Sequence, residues 1–227
     1  MKKSIILVHG AWADGSNWRK VIPLLTNLGH EVIAAQIPLT SFVEDVGAVK
    51  RAIEHASGEV VLVAHSYAGA VISAAGHASK VKGLAFITAY APDEGETVGA
   101  LRTKNPAHAE TPILKPDQNG FVWMGIQGVK SGLAHDLNDS TEQELIVTTQ
   151  KPIADKILAE PMPAPAWREK PSWYLKCTND RMASVVTQTW MAERAKSKIV
   201  SIESGHMPLL TQPESVANII LMAVQEK

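Results

Sequence analysis

Short apolar runs recur along the chain at residues 5–8, 32–37, 60–64, 84–88, 173–177 and 199–202. They are too brief for helices and show little polar alternation, so most of them predict buried strands of a parallel sheet. Between them the apolar spacing lengthens to three and four residues. Trp18, Val21, Ile22, Leu25 and Leu28 share one helical face that ends at Gly29, and Val46, Val49 and Ile53 share another that ends near Gly58. Ser41 followed by Glu44, and Thr211 followed by Glu214, have the spacing of capping boxes. Strand and helix thus alternate, which predicts an α/β fold: a mostly parallel sheet of about six strands with helices on both faces.

One stretch breaks the alternation. Prolines 92, 106, 112, 116, 152, 161, 163 and 165 punctuate short helical pieces, such as residues 142–149, between the fourth and fifth strand runs. A structureless loop of that length is improbable in a compact domain, so residues 91–170 are read as a small, mostly helical insertion. The core is then 1–90 and 171–227. Ligands of such sheets bind at the carboxyl ends of the strands, where this insertion can roof a pocket.

The run 60–64 continues straight into His65-Ser66-Tyr67-Ala68-Gly69. A strand that turns directly into a helix strains the turn residue, lifts it above the sheet and places it by a helix N-terminus, where developing negative charge is favoured. Ser66 occupies that turn. Ala64 and Ala68 supply the small neighbours that the crowding demands, each one methyl larger than the usual Gly-x-Ser-x-Gly pattern. Taken alone, the segment also fits a buried strand that ends in a serine helix cap.

A serine hydroxyl needs a base, and the base needs a carboxylate to hold its tautomer. Asp180 follows the run 173–177 directly and His206 follows the run 199–202, so both belong at the same edge as Ser66. Asp180 can also serve an Asx turn or a helix cap, in which case Glu203 is the substitute acid. His30, His55, His77, His108 and His135 fall in helices, helix ends or the insertion. His65 should point away from the serine, and His9 should brace its loop by hydrogen bonds. Backbone amides are the cheapest oxyanion donors. Tyr67 supplies one, and the loop 9–12 supplies the other through Ala11, or through Trp12 if the loop is shifted. Trp12 either lines the pocket or packs beneath the insertion. Trp123 and Met124, with Phe121, either wall the pocket or form the insertion's own small core.

Charge and composition narrow the partners. Twenty-two Lys plus Arg against 23 Asp plus Glu leave a net charge of −1 with no basic cluster, which argues against nucleic acid. The run 5–8 is broken by His9 and Gly10 well short of a membrane span or a secretory segment, so a soluble, cytoplasmic protein is expected, as a monomer or a homodimer. The single Cys177 excludes an internal disulfide and any multi-cysteine metal cluster. No metal site is expected.

Together these segments resemble the α/β-hydrolase superfamily, and within it small bacterial hydrolases and plant methyl esterases related to hydroxynitrile lyases. The similarity rests on Leu-Val-His-Gly-Ala-Trp at 7–12, Val-Val-Leu-Val-Ala-His-Ser-Tyr-Ala-Gly at 60–69, Ala-Tyr-Ala-Pro-Asp-Glu-Gly-Glu at 89–96, Thr-Asn-Asp-Arg at 178–181 and Gly-His-Met-Pro at 205–208. It implies the α/β-hydrolase fold with a short cap and no cofactor, catalytic Ser66, Asp180 and His206 in that chain order, and Ala11 and Tyr67 as oxyanion donors. Met207 stands where the related lyases carry a lysine. That favours esterase over lyase chemistry and places Met207 with Trp12, Trp123 and Met124 as substrate-binding candidates. The expected reaction is hydrolysis of small or medium carboxylic esters through an acyl-serine. A lyase or carbon–carbon bond hydrolase, and a non-catalytic small-molecule binder, are the alternatives.

Overall fold

The apolar runs assemble as one sheet, and the chain order alternates as its periodicity predicts. The computed structural model describes residues 3–226. The chain passes through β1 (Ser4–Val8), α1 (Ile22–Thr26), β2 (Val32–Ala35), α2 (Phe42–His55), β3 (Val60–His65), α3 (Ala68–Ala75) and β4 (Val81–Ile87). It then leaves the sheet for α4 (Val98–Thr103), β5 (Phe121–Val122), α5 (Ile126–Gly128), α6 (Ser140–Thr149) and β6 (Ile153–Ala154). It returns with β7 (Ser172–Cys177), α7 (Val185–Arg194), β8 (Lys198–Ile202), α8 (Pro208–Thr211) and α9 (Pro213–Gln225).

Six strands lie in the order β2-β1-β3-β4-β7-β8, every pair parallel. The strand order reverses between β1 and β3, which are direct neighbours, with Leu7 opposite Val63 and Val8 opposite Ala64. A crevice at such a switch point is where open α/β sheets bind ligands. Every residue of β1 and β3 is buried. Each buried Ile, Leu or Val contributes roughly 1.5–3 kcal/mol.

Three local expectations are corrected. The face at 18–28 is not one helix: a 3-10 turn at Gly15–Trp18 precedes the short α1, because Pro23 has no N–H to extend a helix through it. Trp18, Val21 and Leu25 are buried as anticipated, but Leu28 is half-exposed. The strand at 32–37 stops at Ala35, since the Ile37 amide turns away to donate to His9 Nε2 at 3.2 Å. Thr211 does not cap α9. It closes α8, and its hydroxyl bonds Met207 O and Ser204 Oγ, while Gln212 precedes α9 without a side-chain cap. The other capping box forms: Ser41 Oγ accepts from the Glu44 amide and donates to Glu44 Oε2 at 2.9 Å.

The segment between β4 and β7 lies across the carboxyl edge and is fastened there. The Ala154 amide donates to Leu39 O at 2.9 Å, and Lys151 Nζ donates to Ile37 O. Arg194 holds Glu96 through both terminal guanidinium nitrogens. Among the described residues, no helix is long and apolar enough to cross a membrane.

Candidate active site

Ser66 sits between the last residue of β3 and the start of α3 with φ = 54°. An L-residue in this left-handed region costs on the order of 1–3 kcal/mol and persists only where its surroundings over-determine it. They do so here. Ser66 N donates to Ile87 O, and Ser66 O accepts from the Gly69 and Tyr90 amides. Two glycines make room: a Cβ on Gly10 would lie 2.9 Å from Ser66 Cβ, and one on Gly69 would lie 2.2 Å from Tyr90 O. Ala64 and Ala68 are fully buried, so their methyl groups fit the turn. Trp12 and Thr88, just beyond the ends of β1 and β4, also have positive φ, at 55° and 42°. Three neighbouring strand ends are thus strained at one crevice.

The structure brings Ser66, Asp180 and His206 together from three strand ends. His206 Nε2 lies 2.8 Å from Ser66 Oγ, and His206 Nδ1 lies 2.7 Å from Asp180 Oδ2. Asp180 accepts on its carboxylate, so the His206 proton belongs on Nδ1 and the Nε2 lone pair faces the serine hydroxyl. The same Oδ2 also accepts from Thr88 Oγ1 and from Gln188 Nε2 at 3.0 Å, while Oδ1 accepts from the Met182 and Ala183 amides. The Asx-turn role and the histidine partnership therefore coexist, and Glu203 is exposed. Burial opposes ionisation of Asp180, but the adjacent His206 and these donors outweigh it and hold the carboxyl below its ordinary range.

His65 does more than point away. Its Nε2 lies 2.7 Å from His206 O, and its ring is 4.9 Å from the His206 ring, so it supports the base from behind. Burial first, then the nearby His206, lowers its pKa to about 3, which keeps it neutral. His9 braces its loop as expected, donating from Nδ1 to Gly10 O while Nε2 accepts from Ile37. Burial lowers its pKa to about 4. Buried Asp45 accepts from Tyr67 Oη at 2.7 Å and from the Leu39 amide, and burial raises its pKa to about 6.

A narrow pocket of about 20 Å³ stands over Ser66, lined by Ala11, Trp12, Tyr67, Tyr90, Arg102 and His206 among others. Ala11 and Tyr67 thus face the same space as the serine. Trp12 combines both of its expected roles: it lines the pocket and its indole N–H donates to Val122 O at 2.9 Å, tying the covering segment to the β1 loop. The structure does not place the other three substrate-binding candidates on this pocket. Trp123 is half-exposed and held outward by Asp117 Oδ2. Met124 is buried within the covering segment, its backbone clasped on both sides by the Gln150 amide. Met207 is buried where α8 begins. Sequence reasoning missed Thr88 and Gln188 behind Asp180, and Tyr90 and Arg102 in the pocket. Thr88 was legible as the end of a strand run. Among the described residues, no group of three or more His, Cys, Asp or Glu is placed to hold a metal ion.

The chain is similar to known proteins. An alpha/beta hydrolase of Aspergillus novofumigatus is 27% identical, with 100% of this chain and 98% of the relative covered. Methylesterase 2 of Arabidopsis thaliana is 25% identical over 97% of this chain and 95% of its own. A solved pyrethroid hydrolase from Sphingobium faniae shares the fold with a TM-score of 0.81 at 22% identity, covering 97% of this chain and 96% of that one. The pattern that defines the Alpha/beta hydrolase family matches residues 5–219. Because that match spans nearly the whole length, the chain belongs to the Alpha/beta hydrolase family.

Proposed function

We propose that the protein is a serine ester hydrolase acting on small or medium carboxylic esters. The observation that carries the reading is the unbroken hydrogen-bonded line from Ser66 through His206 to Asp180, at a strained turn that faces a pocket. His206 Nε2 takes the hydroxyl proton as Ser66 Oγ attacks the ester carbonyl, and Asp180 stabilises the resulting imidazolium. Negative charge gathers on the carbonyl oxygen, where the Tyr67 and Ala11 amides are the donors. When the intermediate collapses, the carbon–oxygen bond to the alcohol breaks and His206 returns the proton to the departing alkoxide. Water, deprotonated by the same imidazole, then releases the acid and restores Ser66. Residues 91–170 act as a cap that keeps bulk water from the acyl-serine. The three relatives are called hydrolases or an esterase, which favours ester cleavage over the lyase alternative. A cytoplasmic location belongs to the same proposal.

The test is the turnover of p-nitrophenyl acetate by wild type and Ser66→Ala. A loss of roughly a thousandfold or more, with the fold and thermal midpoint retained, is expected. Turnover at the wild-type rate in the alanine variant would remove the mechanism.

A further inference from the structure

The space over Ser66 is narrow, about 20 Å³, so it leaves no room for anything beyond the reacting group. Beside it lies a cavity of about 510 Å³, and Arg102, Leu158 and Met182 line both spaces. A substrate larger than the reacting ester can extend past these three side chains into the larger cavity.

That cavity has an electrostatic peculiarity. Arg19, Arg168 and Arg194 are each paired with a carboxylate: Glu142, Asp93 with Glu94, and Glu96 respectively. Arg102 and Arg181, both half-buried on the cavity wall, have no carboxylate partner among the described residues. Arg102 stands by the buried Tyr90 phenol, a neutral group. Arg181 donates from Nη1 to Ser131 O at 2.9 Å, and its Nε is buried without an acceptor. Asp180, its neighbour in sequence, has both oxygens engaged by His206, Thr88, Gln188 and two amides. Asp155 and His108 also line the cavity, but the Asp155 carboxylate is solvent-exposed and therefore screened. Guanidinium groups held partly out of water without a counter-charge call for one, and a carboxylate matches their donor fork.

We propose that Arg102 and Arg181 determine specificity by binding an anionic group at the far end of the substrate, so that the preferred substrates are half-esters of dicarboxylic acids. The inference rests on the ester-hydrolase reading and adds the substrate class. The reacting ester enters over Ser66, the methylene chain passes Leu158 and Met182, and the free carboxylate lies between the two guanidinium groups. The methylene count that is turned over best then measures the span from Ser66 to the arginines.

The experiment compares kcat/KM for monomethyl esters of succinate through suberate with neutral methyl alkanoates of matched length. The half-esters are expected to be favoured by roughly tenfold or more at one optimum length. Arg102→Gln and Arg181→Gln are each expected to reduce that ratio about tenfold, and added salt to reduce it in wild type. Taking the ratio removes any general loss caused by a substitution. A second readout is calorimetric binding of adipate to Ser66→Ala, with and without Arg181→Gln. Neutral esters turned over as fast as half-esters, with Ser66 still required, would overturn the anion site and leave the hydrolase reading standing. Adipate binding that depends on Arg181, in a protein that cleaves no ester, would support the anion site and sink the hydrolase reading. A preference that survives both arginine substitutions would also overturn the anion site.

Discussion

Replacing Asp180 by asparagine changes one atom, and the hydrogen-bond network around it fixes the consequences. Oδ1 accepts from two backbone amides, Met182 at 2.7 Å and Ala183 at 2.9 Å, which cannot turn round, so the asparagine oxygen must take that side. Its NH2 then faces the donors now served by Oδ2: Thr88 Oγ1, Gln188 Nε2 and His206 Nδ1. Gln188 is locked, because its Nε2 also donates to Ala183 O and its Oε1 accepts from the Cys177 amide. Thr88 can rotate its hydroxyl. His206 can relieve the clash only by moving its proton to Nε2, which leaves no lone pair for the Ser66 hydroxyl. In triads generally, this wrong tautomer costs about 10⁴-fold in kcat, or roughly 5.5 kcal/mol of barrier. The Gln188 donor left facing the new NH2 costs about 1–3 kcal/mol of stability, a loss of several degrees in thermal midpoint. Both are measurable on one preparation, by p-nitrophenyl acetate turnover and by thermal denaturation. A folded Asp180→Asn protein whose kcat lies within tenfold of wild type would refute the tautomer argument.

Acid should destabilise the fold before it protonates ordinary carboxylates. His9 and His65 have folded pKa values near 4 and 3 against 6.5, so below pH 6.5 the unfolded chain binds two protons that the folded chain refuses. Asp45, raised to about 6 from 3.8, binds one that the unfolded chain lacks between pH 6 and 4 and offsets one of them. The net loss is roughly 1.4 kcal/mol per pH unit in that window, read from urea midpoints at pH 7 and 5, and His65→Gln should flatten it. Equal midpoints at the two pH values would contradict the buried-neutral assignment. Gly10→Ala sets a methyl 2.9 Å from Ser66 Cβ and 3.1 Å from His65 O, so the elbow or the β1 loop must shift. A fall in kcat of tenfold or more and a loss of roughly 1–3 kcal/mol are expected, and wild-type kcat would show that the close approach is not needed.

The sheet was legible because buried parallel strands carry unbroken apolar runs, and in β1 and β3 no polar neighbour competes with that signal. Ser66, Asp180 and His206 were legible as a set because each follows such a run, so strand order alone delivers them to one edge. Signals that depend on tertiary contacts were not. The Thr211 and Glu214 spacing suits a cap, but Pro213 already starts a new helix and Thr211 belongs to the previous one. Trp123 and Met124 are adjacent, yet one is held outward by Asp117 and the other is buried within the covering segment. Arg102 carries no local motif, and Tyr90 lies in the run 89–96, where nothing local marks a pocket role. Arg102 reaches the pocket from α4 in the covering segment, and Tyr90 from just past the end of β4.

The central claim is that Ser66 Oγ, made nucleophilic by His206, is the atom that attacks. A fluorophosphonate probe read by intact-protein mass spectrometry and peptide mapping tests it most directly, since the probe bonds to an activated serine and releases fluoride. A single adduct on Ser66, absent from Ser66→Ala and strongly slowed in His206→Ala, is the predicted result. An unlabelled wild-type protein, or an adduct that persists when Ser66 is alanine, would contradict it.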